Sequence, residues 1–288
     1  MRFLSYQTEA GPRLGVLQGD RVLPLPGHDM LGLIEAGPAG LDAARAAVAA
    51  GGQTLALDSL TLLAPIPMPR RNIFCVGLNY MAHGRESAEA KGEKFTPPAK
   101  PLFFTKATLA INAHNSPIEV DDAVSPQVDW EVELGVVLGK RGKNIKPGEA
   151  MDYVFGYTVL NDVSARDVQM AHGGQFFKGK SLDGLCPMGP VIVTADEIPN
   201  PHGLRVQTRV NGVTKQDSNS SDLIFNIPTL IDWLSRGMTL LPGDVIATGT
   251  PAGVGFARTP PEFLRPGDVV ECEIDHIGVL RNPIVAAA

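Results

Sequence analysis

The stretch that most constrains the fold is residues 128–137, VDWEVELGVV. Its apolar residues occupy every second position, and the acids Asp129, Glu131 and Glu133 lie between them. An alternation of period two, rich in β-branched residues, predicts a β-strand. Glu131 and Glu133 then project from the same face, about 6.6 Å apart along the strand. Two long carboxylates at that spacing can converge on one divalent cation, or they can belong to a half-buried strand whose acidic face lies in water.

Composition narrows the class of protein. The chain has 288 residues, enough for one large domain or one domain with a small appendage. Its 31 glycines and 24 prolines divide it into many short segments, which favours a strand-rich fold. A net charge of −6 argues against a nucleic-acid or anionic-membrane partner. Three scattered cysteines, no secretory signal and no long apolar run together predict a cytoplasmic protein.

The chain divides near residue 70. Residues 1–70 predict a small α+β unit, with a hairpin around Gln18-Gly19-Asp20 and a helix over 41–50 that stops at Gly51-Gly52. Prolines at alternate positions then mark the boundary, so that 71–288 form the main domain. The sequence of the main domain predicts one clear helix, 226–236, among many strands. The predicted strands of this domain are 72–77, 153–160, 191–194, 204–210 and 269–274. The expected fold class of the chain is α+β, mainly β.

A candidate acid–base pair follows the first strand of the main domain. If residues 80–87 form a helical turn, His83 and Glu86 are neighbours on one face. A carboxylate beside an imidazole can orient it, as in general-base pairs. The alternative is a solvated surface pair. The polar residues 87–100 can bury little, and we expect them to form a mobile flap.

A third acid, Asp162, lies in the bend after the predicted strand 153–160. Active-site residues are often held in such bends, although a turn or cap residue is the alternative. Ser164 and Asp167 resemble a capping box at the start of a helix. Arg166 and Gln169 would lie on one face of that helix, where the arginine fork can match a carboxylate at two points.

Two lysines and a glycine-rich loop complete the candidates. Lys180 lies in a turn-rich segment, where it can meet an anionic oxygen or remain in solvent. Lys106 lies inside the apolar segment 101–111; snorkelling to the surface is one explanation, and we assign it no role. Residues 242–255 predict a strand that runs into a glycine-rich loop able to offer N–H groups to an anion. This loop lacks the nucleotide P-loop pattern.

Six stretches, taken together and in order, resemble the fumarylacetoacetate hydrolase family, in particular its short acylpyruvate-hydrolase-like and 2-hydroxyhepta-2,4-diene-1,7-dioate-isomerase-like branch. They cover the chain from about residue 72 to about residue 285. The resemblance implies the family's mixed β-roll and a homodimer. The six stretches are 79–86 (NYMAHGRE), 128–137, 161–167 (NDVSARD), 180–183 (KSLD), 186–190 (CPMGP) and 243–251 (GDVIATGTP).

The same resemblance implies roles for individual residues. The implied metal ligands are Glu131, Glu133 and Asp162. The implied catalytic residues are His83, Glu86 and Lys180, and the implied substrate-binding residues are Arg166, Gln169 and Thr250. Three carboxylates without a Cys or His ligand suit a hard cation, Mg²⁺ first, with Mn²⁺ or Ca²⁺ as alternatives.

The function expected from this set is hydrolysis of a C–C bond in a 2,4-dioxo acid. The substrate would be an acylpyruvate or a 2,4-dioxo-3-deoxy sugar acid, and pyruvate and a carboxylic acid would be the products. His83 would activate water, and Lys180 would stabilise the oxyanion. Decarboxylation of oxaloacetate and isomerisation or hydration of an unsaturated 2-oxo acid use the same kind of site and stay open. A binding module without turnover is a further alternative, against which the His83–Glu86 pair argues.

Overall fold

The computed structural model describes residues 1–90 and 92–287. The α-helices are α1 (Met30–Ala50), α2 (Met81–Ala90), α3 (Arg166–Ala171), α4 (Phe177–Lys180) and α5 (Ile227–Ser235). The strands are β1 (Arg2–Thr8), β2 (Gly11–Gln18), β3 (Arg21–Leu25), β4 (Leu55–Ala56), β5 (Leu62–Leu63), β6 (Ile73–Gly77), β7 (Leu102–Lys106), β8 (Ile111–Asn112), β9 (Ile118–Val120), β10 (Val128–Asp129), β11 (Val132–Leu138), β12 (Val154–Asn161), β13 (Ser164–Ala165), β14 (Cys186–Thr194), β15 (Arg205–Val210), β16 (Val213–Asn219), β17 (Val245–Ala247), β18 (Val269–Ile274) and β19 (Gly278–Ala286). The predicted class, α+β and mainly β, is confirmed.

One large sheet carries both the N-terminal strands and the candidate site. Its strands run in the order β4-β3-β2-β1-β14-β12-β11-β17-β6-β7. Strand β1 pairs antiparallel with β14, so the sheet continues across the boundary placed at residue 70. The hairpin predicted around Gln18-Gly19-Asp20 is present, with Gln18 opposite Arg21. The division into 1–70 and 71–288 stays a prediction.

A second sheet covers one face of the first. Its order is β16-β15-β18-β19-β9, and its strands β15, β18 and β19 contact β11 and β12. The turn between β15 and β16 is Asn211-Gly212, whose φ values of 52° and 76° are those of a tight hairpin turn. Val132, Leu134 and Val136 belong to the apolar core that includes residues of this second sheet. Glu133 therefore projects from the opposite face of β11.

Helix α1 is longer than the sequence predicts. It begins at Met30, where the Asp29 side chain accepts a hydrogen bond from the Gly32 N–H, and it ends at Ala50. Gly37, with a φ of 57°, kinks it in the middle. The predicted helix 41–50 is the half that follows this kink, because a Gly-Pro pair conceals the first half in the sequence. No helix in the described part of the chain is long and apolar enough to cross a membrane.

Candidate active site

The acidic strand is interrupted at Trp130 and Glu131, next to the candidate ligand Glu133. Strand β10 ends at Asp129 and β11 begins at Val132, so the prediction of one continuous strand is wrong at Trp130 and Glu131. The Trp130 indole N–H donates to the Gly253 carbonyl at 3.1 Å. The break changes the hydrogen-bonding partners of the backbone, so that β10 pairs with β13 while β11 pairs with β12 and β17.

The three candidate metal ligands nevertheless converge. In the antiparallel pair β11–β12, Val132 lies opposite Asn161, so the start of one strand meets the end of the other. This register brings Asp162 beside Glu131 and Glu133, and ligand oxygens of the three lie within 4.8 Å of one another. Their exposed fractions are 1%, 4% and 1% respectively, so the alternative of an acidic face in water is wrong.

Hydrogen bonds to the backbone N–H and carbonyl of Asp162 stabilise the bend in which it lies. Its N–H donates to the Glu131 carbonyl at 2.8 Å, and its carbonyl accepts from the Ser164 hydroxyl at 2.9 Å. Helix α3 begins at Arg166 without a side-chain cap. The predicted capping box is therefore wrong, because Ser164 closes the bend and Asp167 accepts a hydrogen bond from the Ser125 hydroxyl instead.

The two buried glutamates differ in their electrostatic surroundings. Burial raises the pKa of Glu133 well above its ordinary value, and the charges of Asp162 and Glu131 raise it further. Burial also acts to raise the pKa of Glu131, but the cations Lys180 and Arg166 outweigh it and lower that pKa to about 2. Among the described residues, Glu131 and Asp162 each form ion pairs with two cations, whereas Glu133 forms none.

The donor set fits a hard divalent cation. Glu131, Glu133 and Asp162 offer carboxylate oxygens alone, which suit Mg²⁺, Mn²⁺ or Ca²⁺ and not a soft metal. The Lys180 ammonium lies 2.7 Å from Glu131 Oε2 and 2.8 Å from Asp162 Oδ2, so positive charge is already favoured between these acids. The Glu133 carboxylate is held from the backbone by the Gly249 N–H at 2.7 Å.

Two buried lysines, Lys180 and Lys106, form ion pairs with these acids. Burial acts to lower the pKa of Lys180, but Asp162 and Glu131 outweigh it and raise that pKa above its ordinary value, so the side chain remains an ammonium. Lys106 is 0% exposed, and its Nζ donates to Asp162 Oδ1 at 2.6 Å and to the Val163 carbonyl at 2.9 Å. The snorkelling explanation for Lys106 is wrong. A lysine inside an apolar segment was the available signal, because a buried ammonium requires an anionic partner.

Arg166 is engaged by protein carboxylates. Its Nε donates to Asp129 at 2.7 Å, its Nη2 to Glu131 at 2.5 Å and its Nη1 to Gln169 at 3.2 Å. The guanidinium also lies over the Phe256 ring, 4.5 Å from its centroid. Arg166 therefore holds Glu131, a candidate metal ligand, and the predicted contact of Arg166 and Gln169 with substrate stays a prediction. Asp129, to which we assigned no role from its sequence context, is completely buried beside this arginine.

The candidate acid–base pair lies on α2, as predicted. His83 Nδ1 is 3.6 Å from Glu86 Oε2 and 3.5 Å from Ser87 Oγ. The His83 side chain is only 8% exposed, so the alternative of a solvated surface pair is wrong. Glu86 also accepts hydrogen bonds from the Gly253 N–H at 2.9 and 3.0 Å, which tie α2 to the glycine-rich loop.

The segment predicted as a flap begins within a helix. Residues 87–90 belong to α2, and Lys91 lies outside the described residues. Phe95 packs so closely on α2 that a Cβ at Gly84 would lie 2.2 Å from its ring. The mobility of residues 87–100 stays a prediction.

Most of the predicted site residues line a single pocket. The two predicted residues that do not line it contact residues that do: Asp162 contacts Lys180, and Glu86 lies beside His83. Aromatic rings of Phe104, Phe176 and Phe256 form part of the lining. The predicted residues that line the pocket are His83, Glu131, Glu133, Arg166, Gln169, Lys180 and Thr250.

Known proteins match the chain over nearly its whole length. Residues 72–285 match the fumarylacetoacetate (FAA) hydrolase C-terminal family, and residues 1–65 match the family described as Rv2993c-like, N-terminal. "Oxaloacetate tautomerase YisK" from Bacillus subtilis is 49% identical over 81% of this chain and 76% of its own. "Oxaloacetate tautomerase fahd2, mitochondrial" from Xenopus laevis is 43% identical over 99% of this chain and 90% of its own.

Solved structures agree on the fold. The fumarylacetoacetate hydrolase from Exiguobacterium antarcticum superposes with a TM-score of 0.85 at 39% identity and covers 100% of both chains. The 2-hydroxyhepta-2,4-diene-1,7-dioate isomerase from Mycobacterium marinum gives 0.78 at 32% identity, covering 100% of this chain and 99% of its own. Fold and site together define an enzyme with a buried carboxylate centre suited to a divalent metal. The chain belongs to the fumarylacetoacetate hydrolase family, and the predicted family fold is confirmed.

Proposed function

We propose that this protein interconverts the enol and keto forms of oxaloacetate at a divalent-cation site formed by Glu131, Glu133 and Asp162. The observation that carries the proposal is the pocket itself, which places this anionic centre, the Lys180 ammonium and the His83 imidazole around one space. The relatives named oxaloacetate tautomerases, at 43% and 49% identity, support the same substrate.

The reaction moves one proton and breaks no C–C bond. The hydroxyl on C2 of the enol loses a proton, C3 gains one, and the composition is unchanged. The protein must therefore stabilise negative charge on the C2 oxygen and carry protons at the pocket. When bound by the three carboxylates, Mg²⁺, Mn²⁺ or Ca²⁺ supplies the positive charge that stabilises an enolate.

Lys180 acts in this scheme as a fixed cation. Its raised pKa keeps it protonated, so it serves as an electrostatic stabiliser and not as a base. Its ammonium is held by Glu131 and Asp162 and needs little rearrangement when charge develops on a bound oxygen.

His83 acts as the proton carrier. Imidazole is the side chain that gains and loses a proton most readily near neutral pH. It accepts the proton of the enol hydroxyl, and its protonated form supplies a proton to C3. Glu86, 3.6 Å from Nδ1, stabilises the imidazolium between these steps, and its bonds from Gly253 hold it in place.

Hydrolysis of a C–C bond, the function expected first from the sequence, uses the same groups differently. It requires His83 to activate water, and it releases pyruvate. Decarboxylation of oxaloacetate also releases pyruvate, because the C3–C4 bond breaks. Tautomerisation releases none, so pyruvate distinguishes it from both.

The test adds enol oxaloacetate to the Mg²⁺-loaded protein and follows loss of the enol's ultraviolet absorbance, with pyruvate assayed in parallel. We expect faster enol loss than in buffer with Mg²⁺ alone, and no matching pyruvate. Glu133→Gln should abolish the acceleration, whereas Glu119→Gln, on an exposed position of β9, should retain it. Pyruvate formed as fast as enol is lost, or no acceleration, would overturn the proposal. An acylpyruvate tested alongside would then reveal hydrolysis.

A further inference from the structure

A single glutamine connects the two sheets at the site. Gln216 lies on β16, an edge strand whose other residues are exposed or partly exposed, yet it is only 1% exposed itself. Its Oε1 accepts from the Val132 N–H at 3.1 Å and from the Thr208 hydroxyl at 2.8 Å. Its Nε2 donates to Thr250 Oγ1 at 2.8 Å and to the Pro251 carbonyl at 2.9 Å. All four hydrogen-bonding positions of the amide are thus filled.

The orientation of this amide is fixed by its backbone partners. The Val132 N–H can only donate and the Pro251 carbonyl can only accept, so Oε1 must face the first and Nε2 the second. The hydroxyl oxygen of Thr250 therefore accepts from Gln216, and its own hydrogen must point elsewhere. Across the described residues, that hydrogen has no protein acceptor, and Thr250 lines the pocket.

We propose that Gln216 is a positioning residue that fixes the Thr250 hydroxyl as a hydrogen-bond donor into the pocket. The group that accepts this bond is a carboxylate oxygen of the substrate, a 2-oxo acid; this identity rests on the proposed function. A hydroxyl that already accepts a bond from an amide is polarised and aligned, so it needs no reorganisation when an anion binds.

Gln216 also hydrogen-bonds to the backbone at the start of β11, between the candidate ligands Glu131 and Glu133. Its bond to the Val132 N–H replaces a ladder bond at the break between β10 and β11. Val132 lies between Glu131 and Glu133, so this bond fixes the backbone that both ligands share. The two functions of the amide are separable, because Oε1 holds the strand and Nε2 holds Thr250.

The test is a double-mutant cycle that uses oxalate as the probe, because oxalate offers the adjacent oxygens of a 2-oxo acid. Thr250→Val removes the hydroxyl and keeps the shape. Gln216→Glu keeps the shape but turns a donor into an acceptor, so the Thr250 hydroxyl rotates toward residue 216. Loss of a hydrogen bond to a charged oxygen predicts oxalate binding about 10- to 100-fold weaker in each variant. The double variant should bind no more weakly than Thr250→Val.

Controls separate positioning from folding. Thr208→Val removes one bond to Gln216 Oε1, leaves Nε2 alone and should bind oxalate like wild type. Thr250→Ser restores the hydroxyl and should also bind normally. Calorimetry with Mg²⁺ alone should give near-wild-type affinity for both Thr250 variants.

Three results would overturn the inference. They are wild-type oxalate binding in Thr250→Val, equal losses in Thr250→Ser and Thr250→Val, and multiplied losses in the double variant. If Gln216→Glu fails to fold, Gln216→Met, which also removes the Nε2 donor to Thr250, takes its place in the cycle. Oxalate binding can be measured whether or not the protein turns over oxaloacetate, so the two proposals can fail separately. Non-additive losses of oxalate binding in a protein without enol–keto activity would support this inference and overturn the proposed function. Enol–keto activity together with additive losses of oxalate binding would support the proposed function and overturn this inference.

Discussion

Replacement of Lys106 by Met tests the buried charge network directly. The Lys106 Nζ lies 2.6 Å from Asp162 Oδ1 and 2.9 Å from the Val163 carbonyl, with no exposure to solvent. Met has a similar length, so the change removes the ammonium and leaves little empty space. Asp162 keeps Lys180 as its second cation, at 2.8 Å from Oδ2.

The size of the effect follows from these contacts. Removing one partner of a buried ion pair costs about 3–5 kcal/mol. Because Lys180 still contacts Asp162, we expect the lower end, about 3 kcal/mol. At about 2 °C per kcal/mol for a chain of this size, the Tm of the metal-free protein should fall by roughly 6 °C.

Mg²⁺ should reverse much of this loss. The variant has one positive charge fewer beside three carboxylates, while the bond from the Asp162 N–H to the Glu131 carbonyl still holds the bend. Scanning calorimetry in EDTA and in saturating Mg²⁺ should therefore show a larger Mg²⁺-induced rise in Tm than in wild type. Lys143→Met, at an exposed position, is the matched control. A wild-type Tm in EDTA, or a rise in Tm no larger than that of wild type, would refute the reasoning.

Three further predictions concern catalysis and metal binding. His83→Ala should slow enol loss by about 10²- to 10⁴-fold with unchanged Mg²⁺ affinity by calorimetry, and a wild-type rate would exclude His83 as the proton carrier. Because burial, Asp162 and Glu131 raise the pKa of Glu133, Mg²⁺ competes with a proton there. The affinity of the protein for Mg²⁺ should therefore rise with pH. Calorimetry in two buffers of different ionisation enthalpy should detect a proton released when Mg²⁺ binds; a pH-independent affinity would contradict this. Arg166→Lys keeps the charge but loses the fork, so it should weaken Mg²⁺ binding and raise the KM for oxaloacetate, whereas wild-type values of both would mean that the fork is dispensable.

Local signals in the sequence were sufficient for the elements that depend on local chemistry. The pair Asn211-Gly212 favours a hairpin by its own chemistry, because residues tolerant of positive φ form that turn. The predicted helix 226–236 begins with Asn226, a residue type preferred at helix caps, and its side chain accepts a hydrogen bond from the Thr229 N–H. The spacing of Glu131 and Glu133 predicted that the two carboxylates could converge, because a strand repeats every two residues.

The tertiary structure alone decided the environment of those carboxylates. Lys106 lies 56 positions from its partner Asp162, and Val132 lies 84 positions from Gln216. Periodicity within a segment carries no information about partners at such separations. The break at Trp130 and Glu131 follows from the same cause, since the Trp130 indole donates to Gly253 and the Glu131 N–H donates to the Asn161 side chain, both distant in sequence. The sequence by itself therefore determined the strand-rich class and the candidate metal ligands. Only the tertiary structure determined which buried cations and amides hold them, because burial turns each charge into a requirement for a partner.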